Sequence, residues 1–127
     1  MERFAKGKDR YDEVYGEGAA DRLLGSLDGV AREVGRYGIE FNYGDIYRRP
    51  GLDLKQRQVA TIASLVTLGG CDPQLAGHVK AARRVGLTAA EIQEVIVHCV
   101  QYAGFPRTLN ALAFARTALE STEEGRS

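Results

Sequence analysis

Three glycine breaks, at Gly69–Gly70, Gly86 and Gly104, cut the second half of the chain into four apolar segments with very short connections. In each segment the apolar residues recur at three- and four-residue steps, which is one face of an α-helix. The four stripes are Val59, Ile62, Ala63, Leu65 and Val66; Leu75, Val79, Ala82 and Val85 with His78 among them; Ile92, Val95, Ile96, Cys99, Val100 and Ala103; and Leu109, Leu112, Ala113, Ala115, Ala118 and Leu119. Helices so closely linked must lie beside one another. The boundary residues agree with this division. Asp53 stands where a cap belongs. Asp72 is the expected N-cap of the His78 helix, with Pro73 at its first position, and Gly86 can close it in a left-handed turn. Thr88-x-x-Glu91 is a capping box, and Phe105-Pro106 opens the last helix.

The first half reads as three more helical pieces. Met1 to Tyr15 carries Phe4, Lys8, Tyr11 and Tyr15 at helical steps, and Gly16 and Gly18 end it. A short piece follows from Ala19 to Leu24. A third runs from Ser26 or Asp28 to about Phe41, with Leu27, Val30, Val34, Tyr37 and Phe41 as its stripe. Gly29, Gly35 and Gly38 weaken it, each by about 1 kcal/mol against alanine, unless they allow close helix contacts. Asn42 to Gly51 then reads as a connector. It is either an exposed loop of solvated charges or a lid that carries an arginine, Arg48 or Arg49, to a carboxylate. No stretch alternates as a strand does. The expectation is an all-α fold of about six helices in one domain over residues 1–127, with 41–116 as its core and 121–127 as a frayed polar tail.

Seventeen basic and seventeen acidic residues balance, so no strong field favours nucleic acid or an anionic membrane. No apolar run is long enough to span a bilayer. The charged opening MERFAKGKDR is unlike a secretory leader, so a cytoplasmic location is expected, with Cys71 and Cys99 reduced. There is no phosphate-binding glycine loop, no HExxH and no nucleophile elbow. His78 and His98 lack a carboxylate partner on a shared face, so no metal is expected. The remaining candidates are His78, the arginines before the central helix, Gln58 and Cys71. His78 sits between Leu75 and Ala82 on an inward face, where it is either a packed core residue or a site residue that exchanges a proton near neutral pH. His98 reads as a surface or interface histidine.

From Phe41 to Arg116 the chain resembles the carboxymuconolactone decarboxylase family, which includes the alkyl hydroperoxidase D-like proteins. The residues that carry the resemblance are YGDIYRRPGLDLKQRQ at Tyr43–Gln58, QLAGHVKAARRVGLT at Gln74–Thr88, EIQEVIVH at Glu91–His98 and YAGFPRTLNAL at Tyr102–Leu112. It implies an all-helical fold assembled into trimers or hexamers. The hydroperoxidase branch uses Cys-x-x-Cys followed four residues later by histidine, because one thiol attacks and the other resolves the mixed disulfide. Here the second position is Gln74, and Gln58 stands where redox members tend to carry glutamate. The resemblance therefore implies the decarboxylase branch, acting on a lactone in the breakdown of protocatechuate and related aromatic acids.

The implied substrate is a small lactone bearing carboxylates, and no cofactor is implied, because the lactone is its own electron sink. His78 would serve as the acid–base group, its ordinary pKa of about 6.5 suiting proton donation. Arg49, less directly Arg48, would hold a carboxylate, with Gln58, Tyr102 and Asn110 orienting the lactone. Two other readings stand beside this one: a thiol-dependent hydroperoxidase-like protein, and a non-catalytic assembly subunit of the same fold.

Overall fold

The computed structural model describes residues 2–124, and every regular element among them is helical. The expected helix start at Met1 and the final residues of the expected tail, 125–127, lie outside the described residues. Contacts within the chain gather into two compact units, one ending at Leu54 and the other beginning at Lys55.

The first unit holds α1 (Arg3–Tyr15), α2 (Ala19–Gly25), α3 (Gly29–Gly38) and a π-helix (Ile39–Ile46). Asp12 joins the first two. Its carboxylate accepts from the backbone N–H groups of Gly18 and Ala20, at 3.1 and 2.9 Å, and so satisfies donors at the start of α2 that the helix itself leaves open. Packing of α1 against the π-helix is the main contact of this unit. It requires glycine on both sides. A Cβ on Gly7 would collide with the carbonyl of Ile39, and one on Gly44 would lie 2.9 Å from the carbonyl of Arg3.

The segment Asn42–Gly51 departs from the sequence reading. Its first half is not a loop, because the π-helix continues to Ile46 and the N–H of Tyr47 bonds to the carbonyl of Asn42 at 2.7 Å. The cause is aromatic packing. Tyr43 and Tyr47 are buried, with ring centroids 4.7 Å apart, and Tyr43 meets Tyr11 and Tyr15 of α1 at 4.9 and 5.8 Å. The phenol oxygens of Tyr15 and Tyr43 are 2.8 Å apart. The stripe of α3 also departs from expectation, since Val30, Val34, Tyr37 and Phe41 are all exposed.

The second unit contains α4 (Leu54–Leu68), which starts at the unit boundary, α5 (Asp72–Arg84), α6 (Ala89–His98), α7 (Val100–Ala103) and α8 (Phe105–Glu124). Its core joins Ile62 and Val66 of α4, Leu75, Val79 and Ala82 of α5, Ile92 and Ile96 of α6, and Ala111, Ala115, Ala118 and Leu119 of α8. Buried alanines on both helices line the contact between α5 and α8, the most extensive between elements of this unit. Helix α4 begins one residue after Asp53, as expected. The capping box forms in full, with Thr88 Oγ1 accepting from Glu91 N–H at 3.0 Å and Glu91 Oε1 from Thr88 N–H at 2.8 Å.

Cys71, not Asp72, occupies the N-cap position of α5, and Asp72 and Pro73 fill its first turn. Past its other end, Gly86 at φ +112° lets the N–H groups of Gly86 and Leu87 reach the carbonyls of Arg83 and Ala82. One helix was expected through Ala103. A break at Cys99 separates α6 from α7, although Ala103 N–H still bonds to the Cys99 carbonyl at 2.7 Å. On α8, Leu109 and Ala113 face outward, unlike the rest of the expected stripe. Ser121 to Glu124 remain helical, and Glu123 pairs with Arg83 of α5 at 3.0 Å. No helix among the described residues is long and apolar enough to cross a membrane.

Candidate functional site

His78 lies in the middle of α5, on the edge of its buried face, one residue before the fully buried Val79. Gln58 lies in the second turn of α4, ahead of Ile62 and Val66 on the side that faces the core. The two meet inside the second unit. His78 Nδ1 stands 3.1 Å from Gln58 Oε1. An amide oxygen only accepts, so in this arrangement Nδ1 carries the hydrogen and Nε2 is the acceptor nitrogen of the neutral ring.

Burial pushes the His78 imidazole down to about 4. The expectation of an ordinary histidine pKa is therefore corrected. Gln58 brings no charge that would hold an imidazolium, so desolvation prevails and the ring is neutral at pH 7. Such a ring can accept a proton or donate a hydrogen bond from Nδ1. It is not a standing proton donor until a negative charge comes close. Gln58 itself is 0 % exposed, and its Nε2 has no hydrogen-bond partner among the described residues.

Two of the other expected site residues, Asn110 and Tyr102, border different hollows of the second unit. Asn110 lines a recess of about 60 Å³ together with Gly69, Gly70, Cys71, Leu75 and Arg107. Tyr102 is 77 % exposed and borders a shallow depression with Ala63, Ser64, Thr67 and Leu68. Arg49 belongs to the first unit, in the exposed turn after the π-helix, where its N–H bonds to the Ile46 carbonyl at 3.1 Å. Its neighbour Arg48 donates to the carbonyl of Lys6 at 3.3 Å. His98 is exposed, as expected, and lines an open groove of about 650 Å³ with Val59, Ala63, Glu94 and Gln101.

Sequence reasoning passed over Arg107. Its side chain lies against Gly69, where an added Cβ would come within 2.7 Å of Nε, and it places a cation beside Asn110 and Cys71. The signal available was its place in the first turn of α8, directly after Phe105-Pro106. The two thiols are in separate settings. Cys71 Sγ donates to the Gly69 carbonyl at 3.4 Å, whereas Cys99 is buried with its Sγ 3.2 Å from the Val95 carbonyl, and burial pushes that thiol up. Gln74, at the position of a second redox cysteine, is exposed.

Residues 32–117 match the carboxymuconolactone decarboxylase family. The chain is 34% identical over 114 residues to a 4-carboxymuconolactone decarboxylase of Acinetobacter baylyi, which covers 90% of this chain and 84% of that protein. It is 33% identical over 73 residues to a nitrosuccinic acid decarboxylase of Metarhizium robertsii, covering 58% of this chain and 50% of that protein. An uncharacterised 15.0 kDa protein of Paracoccus denitrificans is 32% identical over 87 residues, covering 68% of this chain and 65% of that protein.

Proposed function

This chain belongs to the carboxymuconolactone decarboxylase family, and we propose that it is a carboxy-lyase that removes carbon dioxide from 4-carboxymuconolactone or a similar carboxylated lactone. The observation that carries the reading is the match to the Acinetobacter enzyme along nearly the whole chain, with His78 and Gln58 inside the matched region. Decarboxylation is the activity class in the names of both characterised relatives. The two named substrates also share a chemical trait. Each places a carboxylate near a group that can take up an electron pair, a nitro group in one and an unsaturated lactone carbonyl in the other.

In the proposed reaction the bond from the ring carbon to its carboxylate breaks. Its electron pair moves through the ring double bond to the lactone oxygen, and carbon dioxide leaves. Protonation of the resulting dienolate on carbon gives the enol-lactone. The protein has to hold two carboxylates, stabilise charge on the oxygen and deliver a proton. His78 is the acid–base group of this proposal. Its ring is neutral before substrate arrives, and two substrate carboxylates nearby raise its proton affinity. The ring then takes up a proton on binding and returns it to the dienolate.

Arg49 is proposed to hold a carboxylate, and Tyr102 and Asn110 to orient the lactone. Arg107, next to Asn110, is a second candidate cation. We assign the protein to the cytoplasmic breakdown of aromatic acids through protocatechuate. We also assign it a homo-oligomeric state, trimer or hexamer. Val30, Val34, Tyr37 and Phe41 in one unit, and Tyr102, Phe105 and Leu109 in the other, support assembly because they leave large apolar side chains in water. Light scattering at micromolar concentration tests it, and a monomer refutes it.

The deciding experiment incubates purified protein with 4-carboxymuconolactone and follows carbon dioxide release, with nitrosuccinate in parallel. Release from the lactone at an enzymatic rate is expected. Release from nitrosuccinate alone would move the substrate assignment to nitro-carboxylates.

A further inference from the structure

Gln58 and Thr108 are the buried polar residues among those described, and only one end of the Gln58 amide is satisfied there. The oxygen meets His78 Nδ1 at 3.1 Å, while Nε2, equally enclosed, has no acceptor among the described residues. A buried amide donor left without a partner is costly, and leucine would fill similar volume without that cost. The oxygen end explains why the residue is polar. It does not explain why the other end carries hydrogens in an enclosed place where no group among the described residues receives them.

We propose that Gln58 works with both ends: its Oε1 fixes His78 as the Nδ1–H tautomer, so that Nε2 of the ring is the proton-accepting atom, and its own Nε2–H group is the donor for an oxygen of the bound substrate. This rests on the decarboxylase reading for the identity of that substrate, whose carboxylate and lactone oxygens are acceptors of the right kind. It gives Gln58 a role that glutamate could fill only in part. A carboxylate would accept from Nδ1–H equally well, but it has no hydrogen to offer and would repel a substrate carboxylate. Gln58 thereby selects for an anionic, oxygen-rich ligand beside a histidine that is neutral until that ligand binds. It acts as a positioning residue toward His78 and as a binding residue toward the substrate.

The test is nuclear magnetic resonance on protein labelled with ¹⁵N-histidine and ¹⁵N-glutamine, with His78→Ala and Gln58→Leu used to assign the signals. In ligand-free protein at neutral pH, His78 is expected to show the Nδ1–H tautomer. An Nε2–H tautomer overturns the first half of the proposal, whether or not the protein is an enzyme. Adding 4-carboxymuconolactone should shift the Gln58 side-chain amide protons downfield, and an amide signal that stays in place overturns the second half.

Kinetics separate the two ends. Gln58→Leu should lower kcat by about ten- to a hundredfold, the range for groups that orient a working histidine, and should lose the tautomer signature. Gln58→Glu should restore the signature and much of kcat over Gln58→Leu while raising KM by about ten- to a hundredfold, the value of a hydrogen bond to a charged group. Equal KM in the Glu variant and the wild type overturns the donor role. If the wild-type protein leaves the lactone unchanged, the decarboxylase reading fails by itself and the tautomer result still stands or falls alone.

Discussion

Gly7 on α1 and the carbonyl of Ile39 at the start of the π-helix approach so closely that no side chain fits between them. In an open helix position, alanine in place of glycine stabilises by up to about 1 kcal/mol. Here the sign should reverse. Gly7→Ala is expected to cost about 1–3 kcal/mol, the usual range for overpacking, read as a lower midpoint in thermal or urea unfolding. Gly38→Ala supplies the contrast, because a Cβ there meets nothing within 4 Å and its φ is already helical at −62°. That variant should be neutral or slightly more stable.

His78 should give acid sensitivity with a defined window. Its folded pKa of about 4 lies below the 6.5 of a histidine in the unfolded chain. Between those values the unfolded chain binds more protons, so stability rises with pH. The contribution is complete above about pH 6.5 and is lost as pH falls toward 4, amounting to at most about 3 kcal/mol. Melting temperature against pH for wild type and His78→Gln checks this. The two curves should converge as the solution is acidified, and parallel curves would count against a buried neutral ring.

Turnover and stability measured together decide what His78 does. His78→Ala should reduce kcat by about a hundred- to ten-thousandfold, the usual worth of a placed acid–base group. His78→Gln should not restore it if the ring carries a proton to carbon, because an amide does not titrate near neutral pH. Substantial recovery in the Gln variant would reduce His78 to a hydrogen-bond donor. A less stable His78→Ala protein that keeps its full rate would make it a core residue.

Activity should be independent of thiols. Cys71 donates to the Gly69 carbonyl, a bond that a serine hydroxyl can also make, and Cys99 is buried. Cys71→Ser should retain turnover within a few-fold. Loss to background in a folded protein would bring back thiol chemistry.

Arg49 is tested through geometry at constant charge. Arg49→Lys keeps the positive charge and removes the planar fork that pairs with a carboxylate. Substrate binding should weaken by about 1–3 kcal/mol, seen in KM. Unchanged kinetic constants would take Arg49 out of the site.

The second unit was the more legible in sequence, because its boundaries are written in local chemistry. Thr88 with Glu91 and the turn at Gly86 each form through neighbours a few residues away, so spacing alone was enough. His78 was legible as an inward residue for the same reason. Its proton affinity was not, since that depends on burial and on a partner twenty positions earlier in the chain. The first unit hid more. Nothing local distinguishes Asn42–Ile46 from a loop, and what makes it helical is Tyr43 packing on Tyr11 and Tyr15. The stripe of α3 was periodic as a buried face should be, yet periodicity reports only that a face is apolar and not what covers it. Tyr102 and Asn110 stand in segments that carry the family resemblance, and a resemblance carries no distances.

A π-helix holds more residues per turn than the α-helix it continues, so Ile39–Ile46 is where this chain carries surplus length. Removing one residue there is absorbed by tightening to α-geometry, which leaves the side chains beyond the cut close to their present directions. Tyr47 would then shift within the tyrosine cluster without leaving it, while α1 stayed intact. The same deletion within α1 would instead turn Gly7 away from Ile39 and bring a side chain to the point of closest approach. Single-residue deletions along this unit should therefore divide into those that loosen one aromatic contact and those that prevent α1 from docking.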